Sequence, residues 1–472
     1  MTRESKLLKN TAIIGFGTMC TKGISFLLLP LYTSILSTEE YGTVDLVNTI
    51  ITLITYTLTI QFEQGIFRFL IDCRNDEIKK KKYISTTLLT VTITLIAGIA
   101  ITLPITHIAE FCYTKYLIFN IIATLYCAII CQIVRGLGNI GIYTLTSFLA
   151  ASSQIAFNVI FIAGFNWHIE GMLTATIIGN VISASVGFFS CRIYKYISIK
   201  HFDKNSLNEL MKYSLPMVPN TLCWWLVNVS DRLIVTYFLG YSFNGIYALA
   251  NKFPSLFITL TNVFQISWSE NAAETLNSED RDQYYSKIMN QSLGLFSSCC
   301  AVIIAALPLI FKILVNDNYN NAYYHIVILL VSGLFHTIGN LYGSLFGALK
   351  HTKYIAKTTV FSAIANLVIN LSLIHFIGLY AASISTMAAY LLIAVMRHKE
   401  ICKIIKIKYQ FKTVLLSIIS IVISSISFAV DNTLLTIAAI AATALFTIYL
   451  NKDMVNKIIT KMKDKFVRKR YD

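Results

Sequence analysis

The stretch KKKKYISTTLLTVTITLIAGIAITLP, residues 79–104, decides the fold class. After four consecutive lysines, residues 83–104 carry no charged side chain. A run of about 20 largely apolar residues is what an α-helix needs to cross the hydrocarbon core of a bilayer. The lysines mark the end that stays in the cytoplasm, because Lys and Arg concentrate in cytoplasmic loops. Outward from this segment the pattern recurs. The sequence predicts fourteen spans, at 11–35, 43–67, 83–104, 115–135, 141–165, 169–190, 214–239, 246–268, 289–314, 324–348, 355–377, 379–396, 413–430 and 433–450. Turn-forming residues separate them at Asn166-Trp167-His168, at Gly240 to Gly245, and at Asp431-Asn432, whereas only Gly378 divides 355–377 from 379–396. Composition agrees: 56% of the 472 residues are hydrophobic and 13% are charged, against about 45–50% and 25% in soluble domains. The fold class is an all-α polytopic membrane protein.

The formal net charge of +15 would suggest a nucleic-acid partner in a soluble protein. Here topology accounts for it. With both termini in the cytoplasm, thirty-three of the thirty-nine basic residues fall in cytoplasmic pieces, Arg397 among them, and Lys115 alone sits at an outer edge. No nucleic-acid partner is expected. The remaining five, Lys22, Arg68, Arg232, Lys252 and Lys312, lie in or at the ends of spans. Lys22 in mid-span and the lack of a small-x-small cleavage pattern imply that the first span is retained. The ten cysteines show no metal-ligand spacing, so no metal or cofactor is expected. The longest loops, 191–213, 269–288 and 397–412, are cytoplasmic, and the outer loops leave no room for a catalytic domain. The expected activity is therefore not enzymatic.

Offset by 203, Gly42, Leu46 and Asn48 align with Gly245, Leu249 and Asn251; offset by 212, Asn158 aligns with Asn370. Spans 1 and 7 both start inside, as a parallel repeat about an axis along the membrane normal requires. The expected organisation is a six-helix bundle over 1–191, a linker over 192–213, a second six-helix bundle over 214–397, and a basic loop, a final helix pair and a basic tail over 398–472.

Ionisable and polar groups inside spans are costly and mark cavities or partners. Four spans carry polar stripes at helical spacing: Thr18, Lys22 and Ser25; Asn48, Thr52, Thr55 and Thr59; Asn220, Trp224, Asn228 and Asp231; and Asn251, Ser255, Thr259 and Asn262. Such stripes also join helices by simple hydrogen bonding, but four at matching places in two halves point to a shared polar cavity. Its candidate substrate-binding residues are Lys22, Asn48, Arg68, Asn220, Trp224, Asn228, Arg232, Asn251, Lys252 and Ser255. Glu63 and Asp231 are the candidates for ion coupling. Lys22 could instead pair with Asp45 or Asp231, and Arg68 could be an interface anchor. Cations outnumber carboxylates, which favours an anionic substrate such as a pyrophosphate.

Phe26 to Leu46 (FLLLPLYTSILSTEEYGTVDL), Tyr213 to Asn220 (YSLPMVPN), the Asp231-Arg232 pair, Gly245 to Phe253 (GIYALANKF) and the run around Asn366 and Asn370 resemble the Wzx-type polysaccharide flippases of the multidrug/oligosaccharidyl-lipid/polysaccharide (MOP) superfamily. The resemblance covers spans 1 to 12. It implies a fourteen-helix, two-lobed fold in the cytoplasmic (inner) membrane. It further implies movement of an undecaprenyl-pyrophosphate-linked oligosaccharide to the outer leaflet by alternating access, with H+ or Na+ coupling. The setting it implies is O-antigen, lipopolysaccharide or capsule synthesis beside a glycan polymerase and other assembly proteins. By analogy with lipid II flippases, the last helix pair would cradle the polyprenyl tail. The alternatives are a multidrug-type cation antiporter of the same superfamily and a membrane glycan polymerase. An acidic cavity would mark the first and a large outer loop the second.

Overall fold

The computed structural model describes residues 22–430 and 432–450. Thr18, the start of the first expected span, Asp431 and the basic tail lie outside them. Among the described residues the secondary structure is helix without strand, and the expected spans fall on helices except that the second, 43–67, is broken at 59–61 and the eighth, 246–268, at Asn251: α1 (Lys22–Ile35), α2 (Thr38–Leu58), α3 (Phe62–Asp72), α4 (Glu77–Ile108), α5 (Thr114–Gly136), α6 (Ile140–Val159, continued by a π-turn over Ile160–Gly164), α7 (His168–Ser190), α8 (Lys204–Ser214), α9 (Met217–Leu239), α10 (Tyr241–Ala250), α11 (Lys252–Glu274), α12 (Arg281–Leu314), α13 (Ala322–Ala348), α14 (Thr352–Ile377), α15 (Tyr380–Ile401), α16 (Phe411–Val430) and α17 (Thr433–Leu450). Among the described residues, nine helices are long and apolar enough to cross a membrane, and the bent pair α2–α3 makes a tenth. The polytopic membrane fold expected from the sequence is borne out.

Local chemistry sets the helix ends. Ser37 and Glu40 form a reciprocal capping box at the start of α2. Asp76 caps α4 through the amides of Ile78 and Lys79. Gly378, at φ +55°, divides α14 from α15 as its place in the sequence suggested, because glycine adopts the left-handed region at little cost.

The chain forms two compact units. The first runs to Leu249 and includes Leu367–Ala382. Its core gathers Val47, Ile51, Phe62, Ile66, Ile84 and Ile129. The stretch between α7 and α8, a linker by sequence, is tied to α4: Ser85 donates to the carbonyl of Tyr196 at 2.7 Å, and the amide of Asp203 donates to Thr86 at 3.0 Å. In the same unit α2 and α10 cross backbone to backbone. A Cβ on Gly42 would overlap the carbonyl oxygen of Tyr241, and one on Gly245 would overlap that of Thr38. Asn244 seals the crossing with a 2.8 Å bond to the Gly42 carbonyl. Under the offset of 203, Gly42 and Thr38 correspond to Gly245 and Tyr241, so the contact is self-complementary.

The second unit comprises Ala250–Asn366 and the chain from Ser383. Here α11 packs on α13 through Thr261–Thr337 (3.0 Å), Ser269–Ser344 (2.7 Å) and the Trp268 indole N–H on the Leu341 carbonyl (3.1 Å). Lipid offers no hydrophobic drive between helices, so small residues and interhelical hydrogen bonds do this work. The same rule seats α16, whose buried Ser417, Ser420, Ser424 and Ser427 lie along one face, with Ser297 of α12 donating to Ser417 at 2.7 Å. Its opposite face exposes Ile418, Val422 and Ile426.

Candidate functional site

The second expected span, 43–67, is not one helix. It breaks after Leu58 and resumes at Phe62 with a 49° bend. Ile60 and Gln61 both adopt left-handed backbone, φ +51° and +57°, a costly choice for a β-branched residue that neighbouring structure must hold in place. Part of that support is Thr94, whose hydroxyl donates to the Leu58 carbonyl freed by the break, at 2.7 Å. The break sets Glu63 in the first turn of α3, where the helix dipole favours a carboxylate. Glu63 is 8% exposed, and its Oε2 has no hydrogen-bond partner. Buried Thr55, Thr59 and Gln61 are its near neighbours in the chain, and Thr221 of α9 donates to Gln61 at 3.1 Å.

The second centre lies on α9. Asp231 is 2% exposed; its Oδ1 accepts the amide N–H of Asn370 at 2.7 Å, and its Oδ2 accepts the Tyr247 hydroxyl at 3.0 Å. Asn370 is wholly buried, with its Oδ1 unsatisfied. Arg232, the next residue, points elsewhere, because adjacent residues on a helix diverge. It reaches Asp45 on α2 with Nε to carboxylate at 2.9 Å, an ion pair off the line of a hydrogen bond. Both partners keep about a fifth of their side-chain surface exposed. Asn370 and Tyr247 thus hold the two carboxylate oxygens of Asp231 in place.

The other sequence candidates fall as follows. In the first unit, Lys22 is exposed at the start of the described part of α1, Asn48 and Trp224 are half-buried, and Asn220 is exposed. Arg68 is exposed and pairs with Asp72 one turn along at 2.6 Å. Asn228 lies on α9 between Trp224 and Asp231. In the second unit, Asn251 immediately precedes α11, Lys252 is half-buried, and the Ser255 hydroxyl donates to the Lys252 carbonyl at 2.8 Å. The structure thus joins Arg232 to Asp45, and Asp231 to two residues that sequence reasoning left out of the site, Tyr247 and Asn370.

A signal for Asn370 was present in the repeat. Its mate Asn158 is also buried, donates to the Tyr32 hydroxyl of α1 at 3.0 Å, and also leaves its Oδ1 unsatisfied. In each half, a buried asparagine on the fifth span bonds a polar group on the first. Nothing local could reveal Tyr247. One topological assignment is corrected as well: Arg397 is not in a cytoplasmic loop but within α15, which continues to Ile401, and it is buried.

Comparison with known proteins places this geometry in context. A family model described as "Polysaccharide biosynthesis protein" matches residues 7–267. A curated relative, the probable low-salt glycan biosynthesis flippase Agl15 of Haloferax volcanii, is 20% identical over 255 residues. The match spans 52% of this chain and about half the relative's length, 52%. Among solved structures, the lipid II flippase MurJ in an inward closed conformation superposes with a TM-score of 0.72 at 15% identity, over 94% of this chain and 100% of that one. An inward-facing multidrug resistance MATE family transporter of the MOP superfamily gives 0.69 at 14% identity, over 81% and 95%. These likenesses establish the fold, and the family match covers more than half of the sequence: the chain belongs to the polysaccharide biosynthesis protein family and has the fold of MOP-superfamily transporters.

Proposed function

We propose that the protein is a non-enzymatic flippase that carries a lipid-linked oligosaccharide from the cytoplasmic to the outer leaflet by alternating access. The substrate is an undecaprenyl-pyrophosphate-linked unit, the protein resides in the cytoplasmic membrane with both termini inside, and the product feeds O-antigen, lipopolysaccharide or capsule assembly together with a glycan polymerase. The repeat boundaries at 1–191 and 214–397 define the two halves that alternate. Cationic side chains, Arg232 and Lys22 foremost, neutralise the pyrophosphate, since arginine's planar fork and lysine's point charge both suit phosphate oxygens. The glycan occupies a polar cavity while the polyprenyl chain stays in lipid, with the apolar outer face of α16 as a candidate surface for it.

The observation that carries the reading is the buried Asp231 held by Asn370 and Tyr247 beside Arg232. A proton or Na+ bound at Asp231 changes the local charge by one unit, and a ligand shifts a conformational equilibrium only through differential binding to its states. Glu63, at the break between α2 and α3, is the second candidate for this role. A vesicle assay that reports accessibility of a fluorescent lipid-linked oligosaccharide tests the sites. Lys22→Ala and Arg232→Ala should slow translocation at least tenfold in folded protein, and unchanged rates reject these residues as ligands. Uptake of organic cations in the same vesicles, without glycolipid movement, would favour the antiporter instead.

A further inference from the structure

Arg397 lies in the last turns of α15 and is 1% exposed. Its guanidinium donates from Nε to the Thr358 hydroxyl (3.1 Å), from Nη1 to the Gly339 carbonyl (3.0 Å) and from Nη2 to the Thr359 hydroxyl (3.2 Å). All three acceptors are neutral. No carboxylate pairs with it among the described residues, and three acceptors do not exhaust the five N–H groups of an arginine. A buried cation without a counter-charge is expensive, and inside a membrane protein it marks a functional site by default.

The neighbouring helix gives it an approach. Gly339, Gly343 and Gly347 recur every fourth residue on α13 and so share one face. The Ile393 side chain fills the space at Gly339, where a Cβ would meet its Cγ2 at 2.8 Å. At Gly343 a Cβ would stand 2.9 Å from Arg397 Nη1, and at Gly347 nothing lies within 4 Å. Gly343 is half-buried and Gly347 exposed. The row therefore runs from packed to open, with the Nη1 edge of the guanidinium behind the bare Cα of Gly343. Past the open end α13 closes at Lys350, in left-handed backbone, φ +60°. Exposed Lys353 and Lys357 follow one turn apart on α14, and Lys357 directly precedes Thr358.

We propose that Arg397 is the floor of a phosphate-binding site in the second unit, entered along Gly343 and Gly347 and rimmed by Lys350, Lys353 and Lys357. Its ligand is the phosphate group of an anionic lipid. Bidentate guanidinium–phosphate pairing supplies the missing counter-charge, and basic pockets between helices on the cytoplasmic side are where anionic headgroups bind. All of its residues belong to the second unit, and it does not depend on the oligosaccharide reading. The phosphate could belong to a membrane phospholipid or to a polyprenyl pyrophosphate.

Native mass spectrometry of the full-length protein in detergent, titrated with phosphatidylglycerol and separately with undecaprenyl pyrophosphate, tests it. The variant of choice is Gly347→Leu, which fills the open end without touching Arg397; unchanged thermal unfolding in the absence of added lipid verifies its fold. Wild type should bind one anionic lipid at least tenfold more tightly than Gly347→Leu, and Arg397→Met, where it folds, should show the same loss. Displacement of phosphatidylglycerol by undecaprenyl pyrophosphate assigns the site to the pyrophosphate lipid, and binding of phosphatidylglycerol alone assigns it to phospholipid. Equal binding of both lipids by wild type and Gly347→Leu overturns the proposal.

Discussion

Gly42→Ala isolates the crossing of α2 and α10. The added methyl would overlap the carbonyl oxygen of Tyr241 and lie 2.7 Å from the amide nitrogen of Gly245 and 2.9 Å from the Tyr241 carbonyl carbon. Every one of these neighbours is backbone, so no side-chain rotation relieves the clash; the helices must separate and strain the Asn244 bond to the Gly42 carbonyl. Overpacking of this kind costs about 1–3 kcal/mol, and the rigid neighbours put Gly42→Ala near the upper end. Gly245→Ala should cost a similar amount, since its methyl meets the Thr38 carbonyl and stands 3.0 Å from the Gly42 amide. Gly141→Ala is the control: it lies in α6 with nothing within 4 Å, where alanine stabilises a helix by about 0.5–1 kcal/mol relative to glycine. Equilibrium unfolding in mixed micelles measures all three. If Gly42→Ala and Gly141→Ala shift stability alike, the backbone-to-backbone crossing is wrong.

Two further tests address particular bonds. Asn370→Ala removes a hydrogen bond to a buried carboxylate and should lower stability by about 1.5–3 kcal/mol; the loss should shrink in an Asp231→Leu background, and equal losses in both would deny the bond. Asp203 caps α8 with its carboxylate on the Ser206 hydroxyl (2.7 Å) and amide (2.9 Å), which with Lys82 hold it below the usual aspartate range. Because the folded form is the stronger acid, its contribution is complete above about pH 4, the ordinary aspartate value, and is lost as pH falls through the lower folded value. Protection of the α8 amides, measured against their intrinsic exchange rate at each pH, should therefore fall at acid pH in wild type and already at neutral pH in Asp203→Ala.

The sequence made the spans legible because apolar runs and lysine edges act locally, as at 79–104. Gly378 was legible for the same reason, since a lone glycine between two apolar runs can adopt a left-handed turn. The break at Ile60-Gln61 was not. No glycine or proline marks it, and a β-branched isoleucine argues against left-handed backbone; part of its support comes from Thr94, thirty-six residues away. Asp231 could be chosen as a candidate from its place in a span, but its partner Asn370 is 139 residues distant, and only the repeat with Asn158 hinted at it. Arg397 was misread because it ends an apolar run and resembles a topological anchor; its acceptors lie 38, 39 and 58 residues back in the chain. Arg232 and Asp45 lay on two spans recognised from sequence, yet only packing shows that they meet.

The most direct test is translocation itself. Purified protein reconstituted into vesicles loaded with a fluorescent undecaprenyl-pyrophosphate oligosaccharide should speed the lipid's appearance on the opposite leaflet. An imposed H+ or Na+ gradient should alter the rate in wild type, and folded Asp231→Asn should lose that dependence. Movement no faster than in protein-free vesicles, with the protein shown to be folded, would contradict the account.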